Sequence, residues 1–230
     1  MKRRGASALL KRALRILERA YGPRLWDGRR DPVDTLIGTI LSQNTTGANS
    51  SAGFRRLKER FRTWDEAADA RVSTIKRCIR VSGLSRTKAP RIRKILRQIR
   101  ARYGSIDLGF LAEADPEEAY ETLVQFDGVG PKTALCVLLF ALGMSVFPVD
   151  THIFRVTRRL GVLPDGVMRE RAHELLTPQI APNDRYALHV LLIAHGRNIC
   201  RARNPRCAEC TLLSLCPFGR NGPRQTSSTL

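Results

Sequence analysis

The stretch Phe126-Asp127-Gly128-Val129-Gly130-Pro131-Lys132-Thr133-Ala134 decides how the surrounding chain folds. Two glycines one residue apart allow a tight turn that side chains would block. Pro131 then suits the first position of a following helix, and the run Ala134, Leu135, Val137, Leu138 and Leu139 makes that helix apolar. The N–H groups at a helix start lack intrahelical partners and the helix dipole is positive there, so a phosphate can bind them without any base being read. Gly128, Val129, Gly130 and Thr133 are therefore candidate contacts to a nucleic-acid backbone, with Val129 also anchoring the turn in the core. An ordinary helix–turn–helix packing corner would carry the same glycines. Lys132 distinguishes the two readings. It sits in the first turn of an apolar helix, where partial burial and surrounding positive charge favour a neutral amine, and a neutral amine is a nucleophile that can form a Schiff base.

Working outward, the chain reads as helix after helix. Residues 7–21 place Leu10, Leu14, Leu17 and Tyr21 on one face. Asp31-Pro32 and Asp115-Pro116-Glu117-Glu118 are helix starts, with Asp as cap and Pro at the first position. Further helices are expected over 48–61, 73–80, 88–102, 131–142, 150–160, 167–176 and 184–198. In 88–102, Ile92, Ile95, Leu96 and Ile99 form an apolar stripe, while Arg91, Arg93, Lys94, Arg97 and Arg100 read as a solvated basic face. No segment alternates with a period of two between hairpin turns, so the expected class is all-α. Residues 1–5 and the tail 219–230 lack apolar anchors and are expected to be disordered.

Of the 230 residues, 40 are Lys or Arg and 21 Asp or Glu, a formal excess of +19. Such an excess repels itself and suggests a polyanionic partner, nucleic acid being the usual one. No apolar run approaches the ~18 residues a membrane helix needs, and the basic N-terminus is not followed by a secretory apolar region. An intracellular protein (cytoplasm or nucleoid), without a membrane partner, is the expectation, and no segment suggests an oligomer interface, so a monomer is expected.

Six cysteines without a signal peptide argue against a disulfide framework. Cys200, Cys207, Cys210 and Cys216 follow the spacing C-x6-C-x2-C-x5-C. Four thiolates this close can surround one metal centre, and the Cys207–Cys210 bite is common to zinc and iron–sulfur sites. The long first loop fits a larger cubane better, although zinc stays open on spacing alone. That loop carries Arg201, Arg203 and Arg206, which a metal-closed loop would hold ready to grip phosphates. Cys78 and Cys136 lie on apolar helix faces and read as packing residues. Asp150, in Val149-Asp150-Thr151-His152-Ile153-Phe154-Arg155, is placed to cap the next helix. A carboxylate held by helix N–H groups could also stabilise an oxocarbenium-like sugar and help deprotonate a nucleophile. His152 is either a DNA contact or a satisfied structural histidine.

The hairpin, the Val-Asp-Thr-His-Ile-Phe-Arg segment and the cysteine tail, in that order and over about residues 31–216, resemble endonuclease III and its relatives in the helix-hairpin-helix glycosylase superfamily. The resemblance implies two helical lobes with a DNA cleft between them: a six-helix barrel with the hairpin over 33–146, and a second lobe from 1–32 and 147–218 holding a [4Fe–4S] cluster on the four cysteines. It implies that Lys132 is the Schiff-base lysine and Asp150 the catalytic aspartate of a base excision repair DNA glycosylase with abasic-site lyase activity, acting on double-stranded DNA with damaged bases (oxidised pyrimidines foremost) or abasic sites. Leu84, in Ser82-Gly83-Leu84-Ser85, matches a residue that wedges into the base stack. Gln43 and Asn44, in Leu41-Ser42-Gln43-Asn44-Thr45-Thr46, match the loop that fills the hole left by a flipped base. The chain departs from the family pattern at Phe126-Asp127, where Leu-Pro is common, and at Asn44 and Gly47, where Gln and Asp are common. These departures bear on the preferred base. Two other functions stay open: a mismatch- or alkylated-base glycosylase with weak or no lyase activity, and a non-enzymatic damage-binding protein.

Overall fold

The computed structural model describes residues 3–222 and, among them, contains twelve α-helices joined by turns and short 3-10 segments, with no β-strand. The all-α expectation is met. The described chain divides into two compact units. One runs from Gly28 to Met144; the other joins the residues up to Asp27 to those from Ser145 onward.

The Gly28–Met144 unit holds α2 (Pro32–Ser42), α3 (Gly47–Arg60), α4 (Trp64–Asp69), α5 (Val72–Cys78), α6 (Ser85–Tyr103), α7 (Pro116–Val124) and α8 (Pro131–Phe140). Its helices begin where the sequence provides caps. Asp31 accepts from the Asp34 N–H, and Asp115 from those of Glu117 and Glu118, each with proline at the first helical position. Helix α2 packs on α3 and α8, and α4 and α5 pack on α6. Leu36, Ile37, Ile40, Leu57, Ile92, Leu96, Ile99 and Leu138 are fully buried between them.

Helix α4 was not expected, although its signal was present: Thr63 caps the Glu66 N–H while the Glu66 carboxylate accepts from the Arg62 N–H, a variant of the reciprocal cap. Its acids revise the reading of α6. Arg100 pairs with Asp65 and Asp69, Arg97 donates to the Ala68 carbonyl, and Lys94 pairs with Asp127. Much of the face expected to be merely solvated is thus tied to neighbouring segments.

The other unit contains α1 (Arg3–Tyr21), α9 (Thr151–Arg159), α10 (Ala172–Leu176), α11 (Arg185–Asn198) and α12 (Pro217–Arg220). Leu10, Leu14 and Leu17 of α1 pack with Ile153, Val156, Leu188, Leu191 and Leu192 in one core. Three expectations are corrected. Helix α1 starts at Arg3, inside the segment expected to be disordered. Helix α12 reaches Arg220, two residues into the expected tail, because Phe218 packs on the core and under the Arg159 guanidinium; residues 223–230 lie outside the described residues. The single helix expected over 167–176 is a 3-10 turn at Arg169–Arg171 followed by the five-residue α10. Ala172 and Leu176 are buried there and Val167 packs partly on the core, while Met168 stays exposed.

Gly53 of α3 has the least room for a side chain of the described glycines. A Cβ there would lie 2.0 Å from Ser82 Oγ, which is fully buried and donates to the Asn49 carbonyl. Gly53→Ala is expected to destabilise the protein by about 1–3 kcal/mol through overpacking. In the Gly53→Ala/Ser82→Ala double variant that penalty should shrink, since the clashing hydroxyl is gone and Ser82→Ala alone costs about 1 kcal/mol for its hydrogen bond. Urea denaturation of the four proteins measures the coupling, and strict additivity would refute the steric account.

Candidate nucleic-acid interface and active site

The hairpin turn is built on Gly128 at φ +84°, with Val129 N–H bonded to the Phe126 carbonyl and both Phe126 and Val129 buried. Glycine is needed at 128 twice over, for its φ and because a Cβ would lie 2.7 Å from Arg91 Nε. Gly130 differs from expectation. Its φ is an ordinary −89° and a Cβ would meet nothing within 4 Å, so no steric block requires it. What it leaves is a helix start with no side-chain cap, at the exposed end of α8. Asp127, at one of the positions that depart from the family pattern, ties this turn to α6: its carboxylate accepts from Gln98 and Lys94, and its N–H donates to Gln98 Oε1. Those bonds hold the Asp127 carboxyl below the usual carboxylate range.

Burial in α8 begins at Thr133 and continues to Leu139. Lys132 lies one residue before it and is exposed, so the partial burial expected of its amine is not found. Thr133 Oγ1 lies 3.5 Å from Gln43 Nε2, and Gln43 Oε1 accepts from Arg91 Nη1 at 3.4 Å. Gln43, Arg91, the hairpin glycine and the first turn of α8 therefore form one patch. Next to it, Asn44 and Leu84 both adopt left-handed backbone, at φ +52° and +47°, and Leu84 is 53% exposed. A large apolar side chain held outward from a conformation that L-residues rarely adopt is strain that packing does not explain. Sequence reasoning missed Lys88. It is buried and its Nζ donates to the carbonyls of Leu41, Gln43 and Ser82 at 2.7–2.8 Å; burial pushes its ammonium pKa down. The signal was available, because Lys88 occupies the position one turn before Ile92 on the apolar stripe of α6.

In the other unit, Asp150 caps α9: Oδ1 accepts from the N–H groups of His152 and Ile153 at 2.9 and 2.8 Å. The His152 ring is engaged within the unit, with Nδ1 3.1 Å from Arg155 Nη2 and its Cβ against Gly196. Arg155 donates further to the carbonyls of Gly196 and Cys200, and Arg159 to those of Arg201 and Ala202. One helix thus carries the aspartate at its start and holds the beginning of the cysteine loop.

Among the described residues, no cysteine is in a disulfide. Cys200, Cys207, Cys210 and Cys216 come close enough to influence one another: burial pushes the Cys210 thiol up to about 11, with the other three thiols adding, and raises that of Cys216, with Cys200 and Cys207 adding. Two sulfurs receive N–H groups, Cys200 from Arg159 at 3.3 Å and Cys216 from Gly219 at 3.4 Å. Cys210 Sγ also lies 3.5 Å from His195 Nε2. Among the described residues, no three His, Cys, Asp or Glu side chains converge tightly enough for a single ion. Arg201 and Arg203 are exposed, while Arg206 is engaged by Glu209. Among the described residues no helix is long and apolar enough to cross a membrane.

Comparison with known proteins gives this arrangement a family. Residues 37–179 match the model of the HhH-GPD superfamily of base excision DNA repair proteins. Endonuclease III of Sulfolobus acidocaldarius is 36% identical over 82% of this chain and 83% of its own length. A "Putative DNA glycosylase" of Arabidopsis thaliana is 39% identical over 72% of this chain, but the match spans only 56% of that relative. A solved structure of a trapped covalent endonuclease III–DNA intermediate with an estranged adenine superposes with a TM-score of 0.79 at 27% identity, covering 94% of this chain and 97% of that one. The chain belongs to the HhH-GPD superfamily of base excision DNA repair proteins and is an endonuclease III-like member of it.

Proposed function

We propose that the protein is a DNA N-glycosylase with abasic-site lyase activity, in which Lys132 is the nucleophile and Asp150 the carboxylate that assists it. The observation that carries this reading is an exposed lysine in the first turn of α8, directly after an uncapped glycine turn, in a chain of this family. Bare N–H groups at that turn suit a phosphate, while Gln43, Asn44 and Leu84 are suited to occupy the space of an extruded nucleotide. Lys132 Nζ would attack C1′ as the glycosidic bond breaks, the base leaving with the bonding pair and taking up a proton. Opening of the sugar ring gives an imine. Loss of a C2′ proton then expels the 3′ phosphate, so the strand is cut with no net redox change. Asp150, its carboxyl fixed by two backbone N–H groups, stabilises positive charge on the sugar and accepts the proton of the attacking amine. The substrate class is double-stranded DNA carrying damaged bases, oxidised pyrimidines foremost, or abasic sites.

The four thiols fit an iron–sulfur cluster. They are close enough to interact and two receive N–H donors, and the six-residue loop between Cys200 and Cys207 suits a larger cubane better than zinc. When bound, the cluster would fasten the loop that carries Arg201 and Arg203, ordering these guanidinium groups for phosphates; the bond-breaking steps are carried by this chain's own residues.

Lys132→Ala is expected to lose borohydride trapping to abasic DNA while duplex affinity stays within about threefold, because backbone contacts dominate it; trapping that persists removes Lys132 from the role. Asp150→Asn should slow base release roughly 10²–10³-fold with almost no change in denaturation midpoint, since Asn caps as well as Asp, whereas Asp150→Ala should also cost about 1 kcal/mol of stability. Unchanged base release in the Asn variant would reduce Asp150 to a cap. Protein isolated without added metal should be yellow-brown and carry about four irons per chain; stoichiometric zinc in colourless protein would overturn the cluster assignment. A panel of duplexes with oxidised, mismatched and alkylated bases, with and without alkali, tests the lesion class.

A further inference from the structure

Lys88 is 2% exposed and, among the described residues, no acidic side chain is bonded to its ammonium group. Its three protons go instead to three backbone carbonyls: Leu41 at 2.8 Å, Gln43 at 2.7 Å and Ser82 at 2.8 Å. An ammonium has three donors, so the group is saturated. Leu41 and Gln43 lie at the carboxyl end of α2, where unpaired carbonyls and the helix dipole favour a cation. Ser82 ends the 3-10 turn Arg80–Ser82. Each of these segments leads within three residues to a left-handed residue, Asn44 on one side and Leu84 on the other.

The backbone of Lys88 adds a further tie, since its N–H donates to the Leu84 carbonyl at 2.9 Å. The two loops also run close together: a Cβ on Gly83 would lie 3.9 Å from the Asn44 carbonyl oxygen. Left-handed non-glycine residues persist only where their surroundings over-determine them. Here one buried cation bonds the segments leading to both.

We propose that Lys88 is a positioning residue that fixes the Gln43–Asn44 loop and the Gly83–Leu84 loop to each other, so that both enter an opened base stack as one rigid unit. The inference rests on the reading of these loops as the elements that replace an extruded nucleotide. A lysine serving only the core would stabilise the unit without governing insertion. A lysine that sets loop spacing would govern insertion even in protein that is fully folded.

The test uses full-length protein and a duplex containing a tetrahydrofuran abasic analogue beside 2-aminopurine, whose emission rises when its stacking is broken. Wild type, Lys88→Met, Lys88→Gln and Leu84→Ala are compared for duplex affinity, 2-aminopurine emission and thermal midpoint, and for borohydride trapping on an ordinary abasic duplex. Lys88→Met should bind within about threefold of wild type yet lose most of the emission rise, as Leu84→Ala does, and combining the two should add little. Lys88→Gln, which keeps two of the three donors, covers the case in which the Met variant does not fold; it should give a reduced rise and a single-turnover rate about 10–100-fold lower, as misplaced groups do. An emission rise retained in Lys88→Gln overturns the inference. So does a decline of affinity, emission and melting midpoint in proportion, or a wild type that never perturbs the stack. A wild type that opens the stack through Lys88 but is never trapped on abasic DNA would defeat the Schiff-base lyase reading and leave this inference standing.

Discussion

The packing of α2 on α8 is the constraint on which the candidate site in the Gly28–Met144 unit depends. Both helices bury apolar faces against each other, so the polar groups near their contact lie at their ends. The packing brings the carboxyl end of α2, with Gln43 as its cap, to the amino end of α8, with Thr133 in its first turn. Carbonyls left over at one end and N–H groups left over at the other then lie side by side. The first set takes a buried cation, Lys88. The second remains open and, next to Lys132, suits a phosphate. An acceptor site filled from inside and a donor site left for solvent follow from one helix pairing.

What the sequence disclosed were the local devices. Asp31-Pro32, Asp115-Pro116 and Asp150 cap helices because the bonds they make run two or three residues along the chain, and such bonds are visible as spacing. The glycine turn and the cysteine tail were legible for the same reason. What stayed hidden spans longer separations. Lys88 reaches carbonyls 47, 45 and 6 residues away. Arg100 finds its acids some thirty residues off, and a basic helix face looks solvated until the partner helix is known. Lys88 was nevertheless marked by an inconsistency, a charged residue in register with the apolar stripe of α6. Gly130 is the opposite lesson: its pattern suggested steric need, and the structure shows open space beside it.

The unit completed by the terminal segments is organised by α9 in a comparable way. Its amino end fixes Asp150 by two N–H bonds, and arginines one and two turns further on clasp the backbone from Gly196 to Ala202. Anything that ordered the cysteine loop would be felt through those guanidinium groups by the helix that holds the aspartate. The clasp uses carbonyl acceptors, so it neutralises no charge, and Arg155 and Arg159 remain part of the basic excess.

That excess acquires a sharper meaning once the pairs are known. Where acids stand near basic groups they are largely committed: Asp34 to Lys58, Asp65 and Asp69 to Arg100, Asp127 to Lys94, Glu209 to Arg206. Pairing of this kind fixes segments against one another but leaves the +19 imbalance untouched. Exposed pairs contribute little stability, about 0–1 kcal/mol each, so they do not offset the self-repulsion of the remaining cations. A polyanion does so more effectively, because each phosphate contact also releases a condensed counterion. The paired acids therefore position structure, while Arg201 and Arg203 stay exposed. Contacts from such guanidinium groups to a backbone of spread charge read no sequence.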